Sequence, residues 1–184
     1  MKNGDRSNEN EKDMKENQVK AEYQQNIDNG SKSEIPEYRI VRMAKEHIDG
    51  VYEVESLSFS VPWSKNSFTQ ELKNPLAYYL VILKDDKVAA FGGFWKVLDE
   101  AHVNNIAVHP DFRGMHLGDM IVEAMTQLAK EIEIREMTLE VRASNTTAKN
   151  LYSKYGFKML GVRKEYYLDN KEDALLMFKK IGDQ

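Results

Sequence analysis

Asn105-Ile106-Ala107-Val108-His109-Pro110-Asp111-Phe112-Arg113-Gly114-Met115-His116-Leu117-Gly118-Asp119 is the most unusual run in this 184-residue chain. It carries the end of an apolar strand into the start of an amphipathic helix through a loop with two glycines. The first turn of a helix has N–H groups without intrahelical partners and the positive end of the dipole, so it takes an anion readily. Glycine lets backbone approach phosphate oxygens closely. By composition alone a plain strand-to-helix turn reads the same way, and both readings stand at this point.

Downstream, Gly118–Ile132 puts Met120, Ile121, Ala124, Met125, Leu128 and Ala129 on one helical face. Met137–Val141 reads as a short strand and Thr146–Tyr155 as a helix that Gly156 stops. Two more strand-like runs follow. Upstream, Tyr38–Met43 alternates like a strand, and Lys45–Phe59 has helical spacing. Ser64 is a good N-cap for a short helix through Leu72, ended by Asn74-Pro75. Ala77–Leu83 and Val88–Val97 flank Lys84-Asp85-Asp86-Lys87, a hairpin signal, and Glu100–Val108 is a third strand of the same kind. Asn104-Asn105 interrupts its alternation and predicts a β-bulge. Antiparallel hairpins followed by a β–α–β crossover predict a mixed α/β fold, one twisted sheet flanked by helices.

Residues 1–35 are Asn, Lys, Glu, Asp, Gln and Ser with isolated apolar residues, and are expected to be a disordered tail; residues 36–184 are expected to form a single domain. With Lys+Arg 26 against Asp+Glu 30 the net charge is −4, so no chain-wide basic field exists to hold nucleic acid. No run approaches the ~18 apolar residues of a membrane span, and a cytoplasmic location without membrane contact is expected. Cysteine is absent, which removes thiol nucleophiles and cysteine-held metals. His102, His109 and His116 fall seven apart but on a strand, a turn and a helix start, so no metal site is expected. There is no P-loop, dinucleotide fingerprint, nucleophile elbow or zinc pair.

Arg113-Gly114-Met115-His116-Leu117-Gly118 resembles the [RQ]-x-x-G-x-[GA] pyrophosphate loop of the GNAT N-acetyltransferases. Leu139-Glu140-Val141-Arg142-Ala143-Ser144-Asn145, Leu151-Tyr152 and Gly156-Phe157 resemble the RimI-like, ribosomal-protein-alanine branch more narrowly. Pro62-Trp63-Ser64, Asn105-Ile106-Ala107-Val108, Tyr166-Tyr167 and Glu172-Asp173-Ala174 agree with it. The resemblance implies a GNAT fold, acetyl-CoA as cosubstrate, no metal, and the N-terminal α-amine of a protein as acceptor. For this branch that protein is the eighteenth of the small ribosomal subunit, with alanine at its N-terminus.

The same resemblance assigns residues. Arg113, Gly114, Met115, His116, Leu117, Gly118 and Asp119 would hold the coenzyme's pyrophosphate. Ile106, Ala107 and Val108 would meet its arm through main chain, and Asn145 would add a contact. Glu140 would be the general base acting through water, and Tyr152 the acid for the departing thiolate. His116 stands where the family has a glycine, Leu168 where it often has proline, and Val61 where it often has phenylalanine. By pattern alone Glu140 is a solvated strand acid, Tyr152 a core aromatic and Asn145 an N-cap. A GNAT acting on lysine, another N-terminus or a small amine is the second reading. A coenzyme-binding interaction module is the third, although it would need neither Glu140 nor Tyr152.

Overall fold

The computed structural model describes residues 38–182; the expected tail, residues 1–35, lies outside them, as do residues 36, 37, 183 and 184 at the ends of the expected domain. Its strands are β1 (Arg39–Arg42), β2 (Ala77–Lys84), β3 (Lys87–Val97), β4 (Glu100–Val108), β5 (Glu136–Arg142), β6 (Lys158–Arg163) and β7 (Ala174–Lys180). The α-helices are α1 (Ile48–Ser58), α2 (Lys65–Glu71), α3 (Leu117–Glu131) and α4 (Thr146–Lys154). Three-residue 3₁₀ turns precede α1 and follow β4.

Local chemistry explains the element ends. Asp85 and Asp86 both take positive φ, 47° and 64°, which suits a two-residue hairpin between right-twisting strands. Ser64 Oγ accepts from the Ser67 N–H at 3.1 Å and starts α2. Asn145 Oδ1 accepts from the Ala148 N–H at 3.0 Å and starts α4. Gly156 follows the end of α4 at φ +84°.

The strands form one mixed sheet in the order β1-β2-β3-β4-β5-β7-β6. β1 to β4 are successively antiparallel, α3 carries the chain to a parallel β5, and β7 inserts antiparallel between β5 and β6. One face is covered by α1 and α2 over Val51, Val54, Phe68, Val81 and Phe91. The other is covered by α3 and α4, where Ile121, Met125 and Leu128 meet Ile82, Phe94, Leu139 and Met177. Burying each such side chain contributes about 1.5–3 kcal/mol before entropy is counted. Gly93 is dictated by close approach, since a Cβ there would stand 2.2 Å from Tyr79 ring carbons. Among the described residues no helix is long and apolar enough to cross a membrane.

The feature that positions the site lies between β4 and β5. Their pairing covers only Glu100↔Glu136, Ala101↔Met137 and His102↔Thr138. On the other side of β4 the register jumps from Gly93↔Asn105 to Phe94↔Val103, which leaves Asn104 as the bulged residue. Beyond His102 the two parallel strands splay.

Candidate active site

The lips of the split are the second half of β4 and of β5. The His109 N–H donates to Ala89 O at 2.9 Å, and successive amides along a strand face opposite ways. Val108 and Ile106 therefore turn their main-chain groups away from β3 toward the split, whereas Ala107 turns its own into the β3 ladder. Of the three residues expected to meet the coenzyme's arm, two thus present their main chain to the split.

At the end of β4 the chain enters the expected pyrophosphate loop. Arg113 Nε donates to Val108 O at 3.4 Å and folds the loop back on the strand. Gly114 has φ +77° and open space where a Cβ would project. His116, the N-cap of α3, sits at φ 59° and ψ 16°, the left-handed conformation that glycine adopts without strain. The helical ladder begins with the Met120 N–H on His116 O, so the Leu117, Gly118 and Asp119 amides form the anion-accepting first turn. The Asp119 carboxylate is held by Lys154 and lies 3.3 Å from His116 Nδ1. The Lys154 hydrogen bond in particular holds its pKa below the usual value. Its amide, not its side chain, suits a phosphate. The loop thus fits a pyrophosphate: an open glycine, a left-handed cap and a free first turn converge on one place.

On β5, Met137, Leu139 and Val141 enter the core beneath α3, which puts Glu140 on the α1 side of the sheet. Glu140 Oε1 lies 3.3 Å from an Arg163 terminal nitrogen, and that arginine is about half exposed. Such a pair exchanges with water at little cost. Tyr152 is buried, packs on Phe157 at a centroid distance of 5.8 Å and belongs to the α3 core. Burial, together with Tyr167, pushes its phenol pKa up, so the group is a proton donor throughout the neutral range. Tyr167 is pushed up to about 12, mainly by burial, with Arg142 opposing and Tyr166 and Glu140 adding to the rise. It stands within electrostatic reach of both Glu140 and Tyr152. Asn145 uses its oxygen to cap α4, which leaves its amide N–H groups as donors.

Two arrangements were not anticipated from the sequence. Arg142 holds Asp169 at 2.7 Å and Glu172 at 3.1 Å, and Ser60 Oγ donates to Asp169 Oδ2 at 2.5 Å. This joins the end of β5, the β6–β7 loop and the α1–α2 loop. The second is Glu55, 1% exposed on α1, whose carboxylate accepts from the Trp63 N–H and from Asn105. Its signal in the sequence is an acid four residues after Val51, on the apolar face of its helix. Among the described residues no group of three or more His, Asp or Glu is arranged to hold a metal.

The acetyltransferase (GNAT) family profile matches residues 48–157. A Bacillus subtilis (strain 168) protein, provisionally named [ribosomal protein bS18]-alanine N-acetyltransferase, is 48% identical over 142 residues, 77% of this chain and 94% of that protein. The [ribosomal protein bS18]-alanine N-acetyltransferase of Escherichia coli (strain K12) is 35% identical over 139 residues, 73% of this chain and 92% of that one. The crystal structure of the Escherichia coli ribosomal-protein-S18-alanine N-acetyltransferase superposes with a TM-score of 0.74 at 31% identity, covering 80% and 96% of the two chains. A split parallel pair, an anion-accepting loop at the end of β4 and these relatives lead to one conclusion: the chain belongs to the GNAT family of N-acetyltransferases.

Proposed function

We propose that this enzyme transfers acetyl from acetyl-CoA to the N-terminal α-amine of a protein, with the alanine N-terminus of the eighteenth small-subunit ribosomal protein as acceptor. The observation that carries the reading is the pairing of an anion loop at one end of the β4–β5 split with Glu140 on its lip. Both named relatives carry that acceptor in their names. A net charge of −4 also suits a basic ribosomal protein, modestly. The acceptor places the reaction in the cytoplasm, where ribosomes are made.

The reaction runs by direct attack in a ternary complex; the chain has no cysteine, so no acetyl-cysteine intermediate forms. The first turn of α3 and the Gly114–Leu117 loop bind the coenzyme's pyrophosphate. The Val108 N–H faces the split and donates to the thioester oxygen as charge develops on it. An unperturbed α-amine titrates at about 7.7–8.0, so much of it is already neutral near pH 7, and Glu140 acting through one water completes its deprotonation. Tyr152 gives its proton to the departing thiolate, the proton that the acceptor nitrogen loses as the amide forms restores the phenol through solvent, and Glu140 returns the proton it took to solvent.

The test is acetylation of two peptides followed by mass spectrometry. One begins with the ribosomal protein's alanine sequence and a free amine; the other has a blocked N-terminus and an internal lysine. Acetate on the alanine amine, slowed by Glu140→Gln with coenzyme binding retained, supports the proposal. Acetate on lysine alone overturns the acceptor assignment. Undiminished turnover in Glu140→Gln overturns the base.

A further inference from the structure

The end of the sheet opposite the split holds a cavity of about 940 Å³. Its walls are the β3–β4 turn, the last turn of α3 with the turn into β5, and the end of β7. Small-molecule pockets span roughly 300–1,000 Å³, so the space suits a ligand of moderate size. Main-chain bonds tie the walls together. The Arg135 N–H donates to Asp99 O at 2.7 Å, and the Ile181 N–H donates to Arg135 O at 2.7 Å. The walls are therefore held before any ligand arrives.

Charge in this cavity is unlike that of the chain. The whole sequence carries −4, yet five cations line the space against Asp99 and Glu133. Two of the five are engaged. Lys96 Nζ donates to Ile132 O at 2.7 Å and so caps the end of α3, and Arg135 Nε stands 3.5 Å from Asp99. A third, Lys180, stands opposite Glu136 in the β5–β7 register. The other two are Lys130, from the last turn of α3, and Lys179, from β7. They act on one another as like charges. Burial first and Lys130 second hold the Lys179 pKa below the ordinary lysine value, and its ammonium lies 5.9 Å from the centroid of the Phe157 ring. Folding has thus brought two ammonium groups together from separate elements. A bound dianion would turn their repulsion into attraction.

The cavity also has an apolar side. Ile134 and Ile181 are buried at its base, whereas Leu98 on the β3–β4 turn is 87% exposed. Leu98 takes φ 56°, a left-handed conformation that a residue with a Cβ adopts at a cost. Strain of this kind collects at functional sites. A leucine held out on the rim offers an apolar face to an organic ring.

We propose that this cavity is a binding site for a small organic phosphate of nucleotide size. Lys130 and Lys179 take the phosphate from two sides, and Leu98 covers the organic part. Lysine suits that role as a compact point charge with rotatable donors. The site is separate from the pyrophosphate loop. That loop meets the first turn of α3 and Lys130 lies in the last, and a helix of 15 residues is roughly 22 Å long. The rungs that join β4 to β5 stand between cavity and split, since Asp99 and Arg135 immediately precede the Glu100↔Glu136 pair. Both sites can be filled at once.

The test is calorimetric titration of the full chain with ADP, ribose 5-phosphate and inorganic pyrophosphate in turn. We expect one of the two organic phosphates to bind more tightly than pyrophosphate. The tighter of the pair tells whether a base or a sugar lies on Leu98. Lys130→Gln and Lys179→Gln should each weaken that binding about tenfold, the size of one charge-assisted contact, and the double variant about a hundredfold. Each substitution removes a repulsion, so the thermal midpoint should not fall. Hydrogen exchange on the same samples locates the ligand: protection at residues 96–99, 130–135 and 179–182 belongs to the cavity, and protection at 113–119 to the pyrophosphate loop.

Absence of binding by both organic phosphates overturns the proposal, as does tighter binding of pyrophosphate than of either. Protection confined to residues 113–119 overturns it too, and so does binding that a folded double variant leaves unchanged. A single-stranded RNA oligonucleotide that binds more tightly than ADP would make the cavity part of a nucleic-acid surface and overturn the assignment to a small molecule.

Discussion

The guanidinium carbon of Arg142 stands 3.8 Å from the centroid of the Tyr167 ring, while its terminal nitrogens hold Asp169 and Glu172. One side chain therefore fixes both the aromatic ring beside Glu140 and the loop that carries it. Lysine keeps the charge but lacks the planar fork and the stacking face. Arg142→Lys is expected to raise the peptide KM about tenfold, for the loss of one charge-assisted contact, and to leave the acetyl-CoA KM unchanged. Steady-state kinetics, with hydrogen exchange across residues 164–173, checks this; unaltered exchange there would remove the loop from the explanation.

Glu172 gives the same cluster a pH dependence. The Ser144 hydrogen bonds come first and Arg142 next in holding its carboxyl down to about 2, from an ordinary value of 4.5. A group with a depressed folded pKa contributes stability that is complete above its unfolded value and is lost as the pH falls through the folded one. The window is thus from 4.5 down to about 2. Glu172→Gln should be less stable than wild type at neutral pH, and the difference should shrink across that window in urea unfolding followed by fluorescence.

Tyr152 is separable from its packing. Tyr152→Phe keeps the ring on Phe157 and removes only the hydroxyl, so the thermal midpoint should move little. The rate constant for transfer should fall about a hundredfold, the lower range for a general acid. Because the phenol is held above its ordinary pKa, mainly by burial, the wild-type rate should show no alkaline decline from this residue up to about pH 9.

His116 carries strain in a position that glycine fills freely. The left-handed conformation costs a side-chain-bearing residue about 1–2 kcal/mol, whereas glycine adds unfolded-state entropy of about 0.4–1 kcal/mol. His116→Gly should therefore change stability by between about 0 and 1.6 kcal/mol, in the stabilising direction. Removal of the Cβ beside the phosphates should lower the KM for acetyl-CoA. An increase would mean that the imidazole itself binds the coenzyme.

Much of this arrangement is legible in the chain. The order strand, two helices, three strands, helix, strand, helix, two strands follows from periodicity and punctuation, and the structure has it. Asn104-Asn105 announces the bulge because two amides break an apolar alternation. Pairings between distant segments are not legible. Nothing in β5, β6 and β7 as separate runs says that the last inserts between the other two. Glu55 and Asn105 are 50 residues apart, and Ser60 and Asp169 are 109 apart. Hydrogen bonds over such separations leave no periodic trace. Helix boundaries differ by a residue or so, as at Leu117, where the left-handed His116 starts the helix one position before the glycine.

The three residue pairs that join β4 to β5 also have a mechanical meaning. They make the sheet two leaves, β1–β4 and β5–β7, on a short hinge. Main-chain groups beyond the hinge have no strand opposite, so a molecule lying along the opening serves as a missing rung between the leaves. In the proposed reaction acetyl-CoA would then be a brace as well as a reactant: its occupancy should restrain breathing of the leaves and raise the melting temperature with concentration by mass action.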